Sequence, residues 1–116
     1  MDSWVVERIF RLLTSDYWAS ERAKAGMTPT DVTVPRGVLT DDDACARLLN
    51  ALVQEVGAGH HDVRSSNLSF YQVGDYYAVF SELRVHPELV GEVKQRHPMR
   101  IYSMEQKPRL LMTVYM

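Results

Sequence analysis

His60-His61-Asp62 places two imidazoles and a carboxylate at consecutive positions, the densest group of proton carriers and metal ligands in the chain. Imidazole titrates near neutrality, so His60, His61 or His86 set beside Asp62 or Tyr102 would make an acid–base pair. Metal chemistry fits less well. A zinc site needs three or four ligands, and adjacent residues seldom both reach one ion in good geometry. His86 or His97 would have to complete the set, and on a helix an eleven-residue separation leaves those two about 16 Å apart. Following Gly57-Ala58-Gly59, the triplet reads as a solvated loop, and neither a metal nor another cofactor is expected.

Cys45 is the single cysteine. Near a helix start the macrodipole would favour its thiolate, but the carboxylates of Asp41, Asp42 and Asp43 oppose that, and its place on an apolar stripe argues for a core thiol. The Asp run lacks the spacing and the glycine of a calcium loop and reads as an acidic helix start. No G-x-S-x-G elbow, Walker A loop, G-x-G-x-x-G, H-E-x-x-H or paired C-x-x-C occurs, which excludes the chemistries those motifs position. Arg96, Arg100, Lys107 and Arg109 gather locally, and with Tyr102 they suit an anion or a strand of RNA; such residues also occur on any sheet edge, where charge discourages aggregation.

The elements that must position these groups follow from periodicity. Val5, Val6, Ile9, Phe10, Leu12, Leu13 and Tyr17 recur at helical spacing, giving a helix from a cap at Asp2 or Ser3. It runs to about Ala25 or breaks at Thr14-Ser15-Asp16, with Gly26 at its C′ position and Pro29 preventing resumption. Thr30 to Leu39 is extended, turns through Pro35-Arg36-Gly37, and suits a short edge strand. Thr40 is read as the cap of a second helix, with Asp43 at the reciprocal position and Cys45, Leu48, Leu49, Leu52, Val53 and Val56 as its stripe. Gly57 and Gly59 end it.

From residue 68 the period changes to two. Leu68–Val73 and Tyr76–Val85 form a hairpin through Gly74-Asp75, which sets Val73 opposite Tyr76, Tyr71 opposite Ala78 and Phe70 opposite Val79. Pro87 opens a short helix ended by Pro98. A second hairpin joins Met99–Met104 to Arg109–Tyr115, with Met99, Ile101, Leu110, Met112 and Val114 on one side and Tyr102, Met104, Leu111 and Tyr115 on the other. Neither hairpin has a clearly polar face. Two helices, a second subunit or an apolar ligand would each cover such a sheet.

The predicted fold is α+β: a four-stranded, optionally five-stranded, antiparallel sheet of two hairpins with two to four helices, forming one domain over residues 1–116. With 46 % apolar and 24 % charged residues, the chain has the balance of a globular domain, and at 116 residues it can bury a core without metal or disulfide. The net charge of −2 provides no field for phosphates, so nucleic acid is not an expected partner. Charge is uneven: six basic and ten acidic residues lie in 1–62, seven and five in 63–116. The N-terminal residues lack a signal-peptide pattern and no stretch is apolar enough to span a bilayer, so a cytoplasmic, non-membrane protein is expected. The element order fits several small folds that host unrelated functions and supplies no activity. The functional expectation is a binding or interaction protein, self-associating as a dimer through sheet surface and helix aromatics, with Trp4, Trp18, Tyr71, Tyr76, Phe80, Tyr102 and Tyr115 as the binding surface. A small enzyme with an apolar cup, or an inhibitor or adaptor of a larger macromolecule, is the alternative.

Overall fold

The computed structural model describes residues 3–27, 36–56, 67–82 and 98–115. Its centre is a five-stranded antiparallel sheet in sequential order, built from β1 (Arg36–Val38), β2 (Asn67–Val73), β3 (Tyr76–Glu82), β4 (Pro98–Ser103) and β5 (Leu110–Tyr115). The first hairpin has the register set by its turn: Val73 faces Tyr76, Tyr71 faces Ala78 and Phe70 faces Val79. Gly74 has φ +60°, whereas Asp75 is not in the positive-φ region. That combination belongs to a type II′ turn, whose twist matches the flanking strands. Arg36 and Gly37, expected in a turn, are ladder residues instead: Arg36 pairs with Val73 and Val38 with Tyr71.

The sheet has two apolar faces because both are covered by helices of the same chain. On one side α1 (Ser3–Thr14) buries Val5, Val6, Ile9, Leu12 and Leu13 against Tyr71, Val73, Tyr76, Ala78, Phe80, Met99 and Ile101. On the other, α3 (Asp42–Val56) buries Ala44, Leu48 and Leu52 against Tyr77, Val79 and Tyr102. Period-two alternation thus supplies two cores from one sheet, one for each helix.

The break after α1 falls at Ser15. Thr14 Oγ1 donates back to the Phe10 carbonyl (2.7 Å), and a 3-10 turn (Asp16–Trp18) leads into α2 (Ala19–Lys24). Arg22 Nη1 of α2 donates to the carbonyls of Leu12 and Ser15, both at 2.8 Å, so α2 satisfies acceptors that the end of α1 leaves open. A Schellman arrangement closes α2: Met27 N donates to Arg22 O, Gly26 N to Ala23 O, and Gly26 has φ +72°. Tyr17, expected on the buried face of the first helix, lies beyond that break and is exposed.

Three further expectations change. Asp41, not Thr40, caps α3, its Oδ1 accepting from the backbone N–H of Asp43 (3.0 Å) and Ala44 (3.3 Å). The buried stripe of α3 is centred on Ala44, Leu48 and Leu52, which turns Cys45 to a half-buried flank. In the second hairpin a register shift at Ile101/Tyr102 pairs Ile101 with Met112 but Tyr102 with Leu110, leaving Leu111 as the extra residue. The bulge puts Leu110 on the α3 side while Met112 and Val114 stay on the α1 side, so Leu110 leaves the group in which simple alternation had placed it. The helix expected from Pro87 lies outside the described residues; Pro98 starts β4.

Candidate functional site

Tyr102 sits on β4 opposite Tyr77, on the sheet face that α3 covers. Its side chain is fully buried, and its hydroxyl has no hydrogen-bond partner among the described residues. A phenol is ordinarily placed so that the ring is buried and the oxygen is paired, since leaving a buried hydroxyl unpaired costs about 1–3 kcal/mol. Here the β-bulge brings Leu110 opposite Tyr102, and residues 104–109 form the arch that connects β4 to β5.

That arch and the last turns of α3 enclose a cleft of about 340 Å³. Its α3 wall is Ala51, Gln54 and Glu55, at positions adjoining the buried Leu48/Leu52 stripe. The opposite wall is Glu105, Lys107, Pro108 and Arg109, and Tyr102 and Leu110 line it from the sheet. Ser103 shapes the arch. Its backbone N–H donates to Arg109 O (2.9 Å), its Oγ donates to Glu105 Oε2 (2.7 Å), and that same Oγ accepts from Arg109 N (2.9 Å). Glu105 is thereby committed to Ser103, whereas Glu55, Lys107 and Arg109 make no ion pair among the described residues.

Burial pushes the Tyr102 phenol up to about 12, with Glu55 raising it further and Arg100 acting in the opposite direction. The phenol is therefore a neutral group at physiological pH, able to donate one hydrogen bond and accept others, and poorly suited to act as a base. Cys45 is likewise held as a thiol: desolvation, then Asp42 and Asp41, raise it, and its Sγ lies 3.8 Å from the Leu39 carbonyl. Neither group is held as the anion that nucleophilic attack uses.

The other expected site residues fall in different places. Tyr71, Tyr76 and Phe80 belong to the core under α1 and Tyr102 to the core under α3, so none of these four rings offers an open binding surface on the single chain. Trp4 is 51 % exposed and meets Phe80 edge-on at 6.0 Å. Trp18 is half-buried against Tyr17 and lines a second cleft, of about 320 Å³, between α1 and the β4–β5 side of the sheet. Arg8 and Arg11 flank that cleft. Tyr115 is on β5 opposite Pro98. His60, His61, Asp62 and His86 lie outside the described residues, as does Arg96. Among the described residues no three His, Cys, Asp or Glu side chains gather around a common point, and no helix is long and apolar enough to cross a membrane.

Sequence reasoning named Tyr102 but missed its surroundings. Gln54 and Glu55 lie off the apolar stripe of the second helix, and no spacing links them to the connection between the last two strands. The one available signal was a tyrosine on a strand position that alternation assigns to the core, where phenylalanine would pack without an oxygen to satisfy. Comparison with protein families, with curated proteins and with solved structures found no match.

Proposed function

We propose that this chain is a binding protein that self-associates through the outer edge of β5, two copies pairing antiparallel about a twofold axis. The observation that carries the reading is the contrast between the two sheet edges. β1 is three residues long and bears Arg36, which is tied to Glu7 of α1. Such an edge is short and charged, the usual protection against strand addition. β5 is six residues long, Leu-Leu-Met-Thr-Val-Tyr, with neither a charge nor a proline, and among the described residues it pairs with β4 alone.

The helices already cover both sheet faces, so the edge is where apolar sheet remains available. A second β5 supports the same backbone hydrogen bonds in both directions, and antiparallel pairing is the arrangement a twofold permits. Val114 and Trp18 line the cleft beside this edge, and an added strand would cover apolar surface there as well as satisfy the ladder.

Sedimentation velocity over a wide concentration range tests the reading. A concentration-dependent dimer supports it and a monomer throughout removes it. Thr113 is exposed, so Thr113→Lys leaves the core intact while placing a charge on the joined edge; it should weaken association by about tenfold or more. Concentration-dependent hydrogen-exchange protection of the β5 amides would locate the contact.

A further inference from the structure

We propose that the cleft between α1 and the β4–β5 side of the sheet binds a small aromatic carboxylate, its ring against Trp18 and Val114 and its carboxylate on Arg8 and Arg11. The charge of the lining is the first reason. Arg8, Arg11 and Ser15 line this cleft together with apolar residues, and no acidic residue does. That runs against the local balance, since residues 1–62 hold ten acidic side chains and six basic ones. The cleft beside Tyr102 has both signs in its walls, whereas this one carries positive charge alone.

The second reason is that these guanidiniums are largely uncommitted. Arg8 makes no ion pair among the described residues, and Arg11 meets Glu7 only at 3.9 Å. Glu7 gives its closer contact, a hydrogen bond, to Arg36. Helical spacing accounts for the placement: Arg8 and Arg11 are three residues apart and Ser15 is four further on, so one stripe of α1 and its end carries all three. Ser15 does not use its side chain to cap the 3-10 turn that follows, which leaves its hydroxyl to join the row as a donor. Two planar guanidiniums with a hydroxyl beside them suit the two oxygens of a carboxylate.

The apolar side is the third reason. Trp18 and Val114 are half-buried, so each keeps open surface toward the cleft. Tyr17, which does not line the cleft, backs the Trp18 indole edge-on with ring centres 5.2 Å apart. A flat ring gains from contact with an indole and from guanidinium faces alike. At about 320 Å³ the cleft stands at the small end of ligand sites, the size for a compact aromatic molecule. Pairing at β5 adds a strand in the plane of the sheet, whereas the arginines stand on α1 above that plane, so a dimer keeps the rim open.

Indole-3-acetate is the probe, measured by calorimetry and by amide chemical-shift mapping on the full chain. Binding with shifts concentrated in α1, the 3-10 turn and β5 supports the proposal. Indole-3-acetamide keeps the ring and lacks the charge, and it should bind about tenfold more weakly. Joint replacement Arg8→Gln and Arg11→Gln, both at exposed positions, should abolish that preference and leave the circular dichroism spectrum unchanged. No binding of indole-3-acetate at millimolar concentration would overturn the proposal. So would equal affinity for the amide, or a preference for the acid that survives in the double variant. None of these results bears on pairing at the β5 edge, which is read by sedimentation.

Discussion

The guanidinium of Arg36 lies 4.2 Å above the centre of the Phe10 ring, joining the edge strand β1 to the helix α1 beneath it. The same side chain pairs with Glu7, and its backbone pairs with Val73. One residue thus closes the edge of the sheet, caps an aromatic ring and holds the first helix in place. Since both charged partners are partly exposed, the ion pair itself contributes little, and the planar stacking on Phe10 carries most of the effect.

Arg36→Ala should therefore lower stability by about 1 kcal/mol, and Arg36→Lys should recover less than half of that, because an ammonium keeps the charge but loses the flat face. Urea denaturation of the three proteins measures it. Equal stability of the Lys variant and the parent would assign the effect to charge alone.

The start of α3 gives a second test. Asp41 Oδ1 satisfies two of the orphan N–H groups of the first turn, so Asp41→Ala should cost about 1 kcal/mol, whereas Thr40→Ala should change stability by no more than a few tenths. Thermal or urea unfolding of both variants distinguishes the two caps.

The run Thr40-Asp41-Asp42-Asp43 also shows where sequence reading reaches its limit. Each of the four residues can cap, and the Thr40/Asp43 spacing satisfies the reciprocal pattern; the choice depends on which residue first leaves helical dihedrals, and periodicity does not record that. The β2–β3 register, by contrast, was legible because Gly74 is a residue that tolerates positive φ and so pins the turn to one position. No comparable residue marks the bulge at Leu111. The run Leu110-Leu111-Met112 is apolar throughout, and the displacement of Leu110 to the α3 side arises from pairing with Tyr102 rather than from composition. The cleft was illegible for a related reason. Glu55 and Lys107 are distant in sequence, and they line one cleft because α3, which connects β1 to β2 in the chain, packs over Tyr77, Val79 and Tyr102 and ends beside the β4–β5 connection.

Cys45 should react slowly with thiol reagents at neutral pH. Burial, Asp42 and Asp41 all raise its pKa, so the thiolate fraction is smaller than in an unfolded chain. The alkylation rate against pH should have its midpoint above that of the denatured chain, and Asp42→Asn should move that midpoint down. A midpoint lower in the native chain than in the denatured one would contradict the direction of all three effects.

The alkaline limb of the stability curve belongs to Tyr102. Its phenol holds its proton to about 12 in the folded chain, against about 10 for a solvated tyrosine. Below pH 10 both states carry the proton and the group contributes no slope. Between about 10 and 12 the unfolded chain releases the proton while the native chain retains it, so deprotonation favours unfolding and stability falls as pH rises through this window. Tyr102→Phe has no proton to release. At neutral pH the variant should be more stable than the parent by about 1 kcal/mol, because an unpaired buried hydroxyl is removed with the ring kept. Its advantage should then widen between pH 10 and 12, since the titrations of all other groups are shared and cancel in the difference. Urea unfolding of the pair at pH 7, 10 and 11.5 reads both quantities. A variant less stable than the parent at neutral pH would mean that the hydroxyl is satisfied within the fold, and a difference that does not grow above pH 10 would mean that the phenol ionises as freely in the native chain as in water.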